Sequence, residues 1–227
     1  MRVKAIAFDG HGVIYHRPRR VIDVLLDYLE EKGLTIDREE AESLYLSLQR
    51  EAFVGQMSSK EMIQRFCDML ALRSFEEELL EVFQKASAAI ELEPGLREVL
   101  ERLRRCGLII GMITNSVHPV SIKRAWLRQH GMEDLFDVIL SSADEAVCKP
   151  SVEIFRRFAS RLSLAPEEIV FVGHDEKEIK GAKAAGMVTV CFRCKEKIAD
   201  FCITSLKELL ELSRTLATRD QEGNPQI

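Results

Sequence analysis

The chain contains no apolar run approaching the roughly 20 residues that a membrane-spanning helix needs, so a bilayer is not an expected partner. Its start, Met1-Arg2-Val3-Lys4, leads into a short apolar stretch without a signal-peptide cleavage pattern, and a cytoplasmic location is expected. Basic residues are not in excess: 32 Lys and Arg against 37 Asp and Glu give a formal net charge of −5. That balance offers no electrostatic footprint for a phosphate backbone, so nucleic acid is not an expected partner either. Internal repeats and low-complexity tracts are absent. The six cysteines, Cys67, Cys106, Cys148, Cys191, Cys194 and Cys202, are scattered and do not describe a disulfide framework. Cys191-Phe-Arg-Cys194 has the spacing of half a zinc site or a redox pair, and Cys202 could be a third ligand, but no fourth ligand stands at a convincing distance. Structural thiols or a local disulfide are the expectation there.

What is present is an ordinary globular composition, 46% apolar and 30% charged over 227 residues, enough for one large domain or two smaller ones. Val3 to Phe8 is apolar except for Lys4, and it has the length of a buried strand, closed at once by Gly10 and Gly12. Asp9 stands at its mouth. Asp before Gly is common turn chemistry, but the carboxyl end of a strand is also where parallel α/β sheets place their ligands.

From Tyr15 the period becomes helical for some 75 residues. Val21, Val24, Leu25, Tyr28 and Leu29 give an amphipathic helix that stops at Gly33, and Asp37 with Glu40 opens a second. Ser58 with Glu61, and Ser74 with Glu77, have capping-box spacing for a third and a fourth. Met62, Phe66, Met69 and Leu70 line one apolar face, and Leu79, Leu80, Val82 and Phe83 another. Residues 15–91 are therefore expected to form a four-helix insertion, and Pro94-Gly95 marks the exit. Arg17, Arg19 and Arg20 at its start could greet an anionic substrate or simply be solvated.

Beyond that exit helices and continuous apolar strands alternate. Strands are expected at Leu108–Thr114, Val138–Ser141, Ile169–Gly173 and Val188–Phe192, and helices at Leu96–Arg105, up to about Gly131, and at Val152–Leu162, Lys177–Ala185 and about Ser205–Leu216. The fold class that follows is α/β: a doubly wound, Rossmann-like parallel sheet from residues 1–14 and 92–217, with the helical insertion at 15–91 and a frayed tail at 218–227. The strand ends carry Asp9-Gly-His11-Gly, then Thr114-Asn115-Ser116, then Cys148-Lys149-Pro150, then Gly173-His174-Asp175-Glu176-Lys177-Glu178. Each is a weak signal alone; four on successive strand ends are not.

With Ile113-Thr-Asn-Ser116, Lys149-Pro-Ser-Val-Glu-Ile-Phe155, Val170-Phe-Val-Gly173 and Gly181-Ala-Lys-Ala-Ala-Gly186, the pattern resembles the haloacid dehalogenase superfamily. The insertion is similar to the helical cap of the subgroup that contains phosphoglycolate phosphatase. The resemblance implies that Asp9 is the nucleophile in hydrolysis of a small anionic phosphate ester through an aspartyl-phosphate. Thr114 and the backbone amide of Asn115 would hold the phosphoryl oxygens, and Lys149 would offset the gathered charge. Mg²⁺ would take the Asp9 carboxylate, the carbonyl of His11 and an acidic residue after the fourth strand. The sequence departs from the family in two places. His11 stands where the phosphatases have the acid/base Asp, and His174 replaces the first acid of the fourth-strand loop, leaving Asp175 one residue late and Glu178 as the second acid. Imidazole suits Mn²⁺ or another divalent metal better than Mg²⁺. Three readings follow: a phosphatase with His11 as acid/base, a metal-independent haloacid dehalogenase, or a non-catalytic relative that binds a ligand or a protein partner.

Overall fold

The computed structural model describes residues 3–194 and 198–218, so the expected tail at 218–227 lies, after its first residue, outside the described residues. Five strands and a short sixth make one parallel sheet. In chain order they are β1 (Ala5–Asp9), β4 (Ile109–Thr114), β5 (Val138–Ser141), β6 (Ile169–Gly173), β7 (Val188–Phe192) and β8 (Phe201–Ile203). Across the sheet the order is β5-β4-β1-β6-β7-β8. β1 thus lies between β4 and β6, where the order reverses direction, which is the switch point at which open α/β sheets bind ligands. All five residues of β1 are buried, as its unbroken apolar pattern requires of a strand covered on both faces.

One face carries α5 (Leu96–Arg105), α6 (Val120–Gln129) and α10 (Glu208–Thr218), packed with Ile6, Phe8, Leu100 and Trp126. Beyond the single-turn α7 (Ser142–Glu145), the other face carries α8 (Val152–Leu162), whose Phe155 and Phe158 pack with Ile179 of α9 (Glu176–Ala184) against Ala5, Ala7 and Phe171. Burying a side chain such as Phe155 contributes about 1.5–3 kcal/mol of transfer free energy. The layered α/β architecture is the one the alternation implied.

Four helices are inserted between β1 and β4: α1 (Val21–Glu31), α2 (Arg38–Phe53), α3 (Ser59–Met69) and α4 (Glu76–Ala88), with their own core around Leu25, Leu29, Phe66 and Phe83. The chain enters and leaves this insertion through two paired two-residue strands, β2 (Tyr15–His16) and β3 (Glu91–Leu92), neither of which the sequence announced. Ser58 and Glu61 form the expected reciprocal capping box of α3. The one expected at Ser74 and Glu77 does not form. A 3₁₀ turn over Arg73–Phe75 takes up that stretch, and α4 begins behind it at Glu76 with no side-chain cap. Met69, assigned to the buried face, is 66% exposed, because α3 ends there and the chain turns away. Cys191 and Cys194 are joined as a disulfide, and Cys202 is free and exposed, which is the local pairing rather than a metal half-site.

Candidate active site

Every strand end named by the sequence meets at one edge of the sheet, because parallel strands bring their carboxyl termini together. Asp9, at the end of β1, is 4% exposed. One of its carboxylate oxygens accepts from Lys149 Nζ, and the other lies 3.0 Å from His174 Nδ1. Burial raises the Asp9 pKa, but the Lys149 ammonium and the His174 hydrogen bond outweigh it, and the carboxyl is held below its ordinary range. Lys149, 3% exposed, also donates to Glu178 Oε2 at 2.8 Å; burial lowers its pKa, and the two carboxylates raise it beyond that loss. Burial pushes Glu178 up to about 7.

Local chemistry fixes these positions. Gly10 lies under Thr114 at the end of β4, and a Cβ there would stand 2.7 Å from Thr114 Oγ1. Gly12 adopts φ +87°, and the His174 imidazole occupies the space a side chain at 12 would fill. Asn115 uses its side chain to hold the Lys149 loop, accepting from Lys149 N at 2.8 Å and donating to Lys149 O at 3.0 Å. Asp175 caps α9, its carboxylate accepting from the amides of Lys177 and Glu178.

The residues proposed for a metal are thus brought near one another but not aimed at one point. Both oxygens of Asp9 face cationic or N–H groups, Glu178 is spent on Lys149, and Asp175 is turned to a helix start. Among the described residues no three His, Cys, Asp or Glu side chains are grouped to hold an ion. Mg²⁺ demands near-ideal octahedral oxygen ligation, and this donor set does not fit it. The hydrogen bond to Asp9 raises the pKa of His174, which keeps Nδ1 protonated further into the neutral range and disfavours it as a metal ligand.

His11 is exposed at the rim, its ring edge-on to Tyr15 with centroids 6.1 Å apart. Desolvation beside Tyr15, reinforced by the Arg17 charge, lowers its pKa, so at neutral pH the neutral ring predominates. Asp9, His11, Thr114, Asn115, Lys149, His174 and Glu178 all line one cavity of about 340 Å³ between the sheet edge and the helical insertion, whose side contributes Tyr45, Gln49 and Phe83.

Sequence reasoning missed the rest of the lining. Lys123 on α6, 3% exposed, donates to Tyr15 Oη at 2.9 Å, and His118 is buried between the rings of Phe83 and Trp126. A signal was there: Lys123 falls on the helical stripe of Val120, Trp126 and Leu127, where a solvated lysine has no place. Of the three arginines, Arg19 pairs with Asp27 and Arg20 with Asp23 and Glu42, whereas Arg17 lines the cavity.

Known proteins are similar to this chain in sequence and fold. A family model described as haloacid dehalogenase-like hydrolase matches residues 3–186. The chain is 33% identical over 139 residues to glyceraldehyde 3-phosphate phosphatase of Pyrococcus furiosus, a match covering 57% of this chain and 57% of that relative's length. To the protein of the same description from Methanopyrus kandleri it is 29% identical over 237 residues, covering 95% of this chain and 99% of the other. Its fold is similar to that of 2-haloacid dehalogenase from Pseudomonas syringae pv. tomato, with a TM-score of 0.75 at 21% identity, over 94% of this chain and 99% of that one.

Proposed function

The chain belongs to the haloacid dehalogenase-like hydrolases, and on that premise we propose that it hydrolyses a small phosphate monoester through an aspartyl-phosphate on Asp9, with the four-helix insertion as its cap. The observation that carries the proposal is Asp9 itself: a buried carboxylate kept ionised on the central strand, facing a cavity beside Thr114 and Lys149. An ionised carboxylate is the nucleophile such chemistry needs. Relatives described as phosphatases over most of the chain support phosphorus rather than carbon as the centre attacked.

In the first half-reaction an Asp9 oxygen bonds to phosphorus as the ester P–O bond breaks, and the leaving oxygen takes a proton from the imidazolium form of His11, the minor form at neutral pH, which leaves the ring neutral. Lys149 and the Thr114 hydroxyl face the phosphoryl oxygens and offset their charge, a preorganised electrostatic role. Water then adds to phosphorus, His11 takes its proton, and the bond to Asp9 breaks to release phosphate. His174 holds the second Asp9 oxygen in place through both steps. No step is drawn through a metal, because the donors as arranged do not fit Mg²⁺.

The test is phosphate release from a panel of alkyl and aryl phosphates, in chelator and with Mg²⁺, Mn²⁺ or Zn²⁺, alongside halide release from a short 2-haloacid. Turnover of a phosphate ester that Asp9→Asn abolishes supports the proposal. Halide release with no phosphate release would move the chain to the dehalogenases, and silence in both assays would leave a binding protein.

A further inference from the structure

The cavity that holds Asp9 has more basic side chains than its own carboxylates engage. Its two acids, Asp9 and Glu178, are both engaged by Lys149, and Asp9 by His174 as well. Arg17 and Lys123 line the same cavity, and among the described residues neither forms an ion pair. Lys123 is buried, with the Tyr15 hydroxyl as its hydrogen-bond partner and the Trp126 ring 4.3 Å away. Arg17 donates Nε to the carbonyl of Ser87 at 3.0 Å and lies over the rings of Tyr15 and Trp126, which leaves its terminal nitrogens unspent. That contact ties it to α4 of the insertion, so the guanidinium is fixed across the junction between insertion and sheet. The third observation is independent of these charges. His118 is 6% exposed, lines the cavity, and its Nε2 is a buried polar atom with no hydrogen-bond partner.

A buried lysine without a carboxylate partner, whose charged form burial disfavours, and a buried nitrogen without a partner are each costly, and a bound anion would satisfy both. We propose that Arg17, Lys123, Tyr15 and His118 form a second anion-binding subsite, so that the substrate is a small phosphate monoester carrying a second anionic group, a carboxylate or another phosphate. The scissile phosphate faces Asp9, Thr114 and Lys149. The second anion lies on the guanidinium fork of Arg17 and the ammonium of Lys123, with His118 in its Nε2–H tautomer as a further donor. A cavity of about 340 Å³ restricts the spacer to a short carbon chain. This rests on the phosphatase reading, since it assigns Asp9 to the other anion.

Binding of non-hydrolysable ligands separates the two ideas. Isothermal calorimetry with methylphosphonate, phosphonoacetate, 3-phosphonopropionate and methylenediphosphonate compares one anion with two, and a carboxylate with a phosphate. At least one two-anion ligand is expected to bind about tenfold or more tighter than methylphosphonate, a gap of about 1.4 kcal/mol. Arg17→Gln and Lys123→Met should each reduce that advantage to within about threefold, at thermal midpoints that confirm folding. Arg17 is only part-buried, so its variant serves if the lysine variant does not fold. Equal binding of one- and two-anion ligands, no binding of any, or an advantage that survives the arginine substitution overturns the subsite. A two-anion preference without turnover of any ester leaves the subsite standing and removes the phosphatase reading.

Discussion

A carboxylate at a strand end serves chemistry more than folding when it stands alone, but Asp9 does not stand alone. It is the counter-ion of a buried ammonium and accepts from an imidazole. Asp9→Asn should therefore abolish turnover and also cost stability, in contrast to an isolated active-site acid, whose removal often stabilises. Removing one partner of a buried pair costs about 3–5 kcal/mol; because Glu178 stays on Lys149, about 1–3 kcal/mol is expected here. Urea midpoints of the two proteins at pH 7 check this, and a higher midpoint for the Asn variant would contradict it. The two histidines invite the opposite experiment. Aspartate at 11 restores an acid of the family's type, and aspartate at 174 gives a hard oxygen beside Asp9 in place of an N–H. With both, an aryl phosphate should be hydrolysed at least about tenfold faster in Mg²⁺ than in chelator, while each single variant gains little, as expected of groups that act as a unit. If wild type is fast in chelator and either aspartate slows it, the histidines are the working groups.

Elements were legible in the sequence where one strong pattern decided them. The continuous apolar runs of β5, β6 and β7 gave their bounds directly, because a strand buried on both faces admits few polar residues. β8 escaped notice since only three residues form it, one of them the exposed Cys202. The capping spacing at Ser74 failed where a 3₁₀ turn competed for the same residues. The reacting pole of the site was legible for a topological reason, as parallel strands deliver their ends to one place. Its second pole was not, since Arg17, His118 and Lys123 converge from a hinge, a loop and a helix that no local pattern relates. The chain crosses between insertion and sheet twice, where the β2–β3 pair and the His16–Glu91 contact of 3.1 Å hold the two crossings together. If the insertion opens as a cap, limited proteolysis should cut first at 16–20 or 89–95, and a slowly dissociating two-anion ligand should protect those sites. First cuts within the sheet strands would exclude such a hinge.

At the scale of the whole molecule, the buried charges set how stability responds to pH. His118 is enclosed by Phe83 of the insertion, Trp126 of α6 and the loop that Ser141 and Ser142 hold, its carbonyl accepting from Ser141 Oγ at 2.7 Å. Burial, aided by the nearby Lys123 and Arg17, pushes its pKa down to about 3. Because the folded value is depressed, the unfolded chain binds the proton first as the pH falls below about 6.5, and the folded state loses stability from there down to about 3. The slope approaches about 1.4 kcal/mol per pH unit for this one group. Glu178 acts with the opposite sign: its folded pKa is raised to about 7, so the folded state holds its proton where the unfolded chain has released it, and acidification from 7 toward 4.5 favours folding. Between pH 4.5 and 6.5 these two contributions oppose each other. His118→Phe removes one contribution, keeps a ring between Phe83 and Trp126, and leaves Glu178 unopposed. Stability of the variant, from urea midpoints, should rise relative to wild type by about 2 kcal/mol between pH 6.5 and 5. Parallel curves for the two proteins would show that His118 takes up its proton in the folded state as readily as in the unfolded chain, and that the pocket around it is wetter than its burial implies.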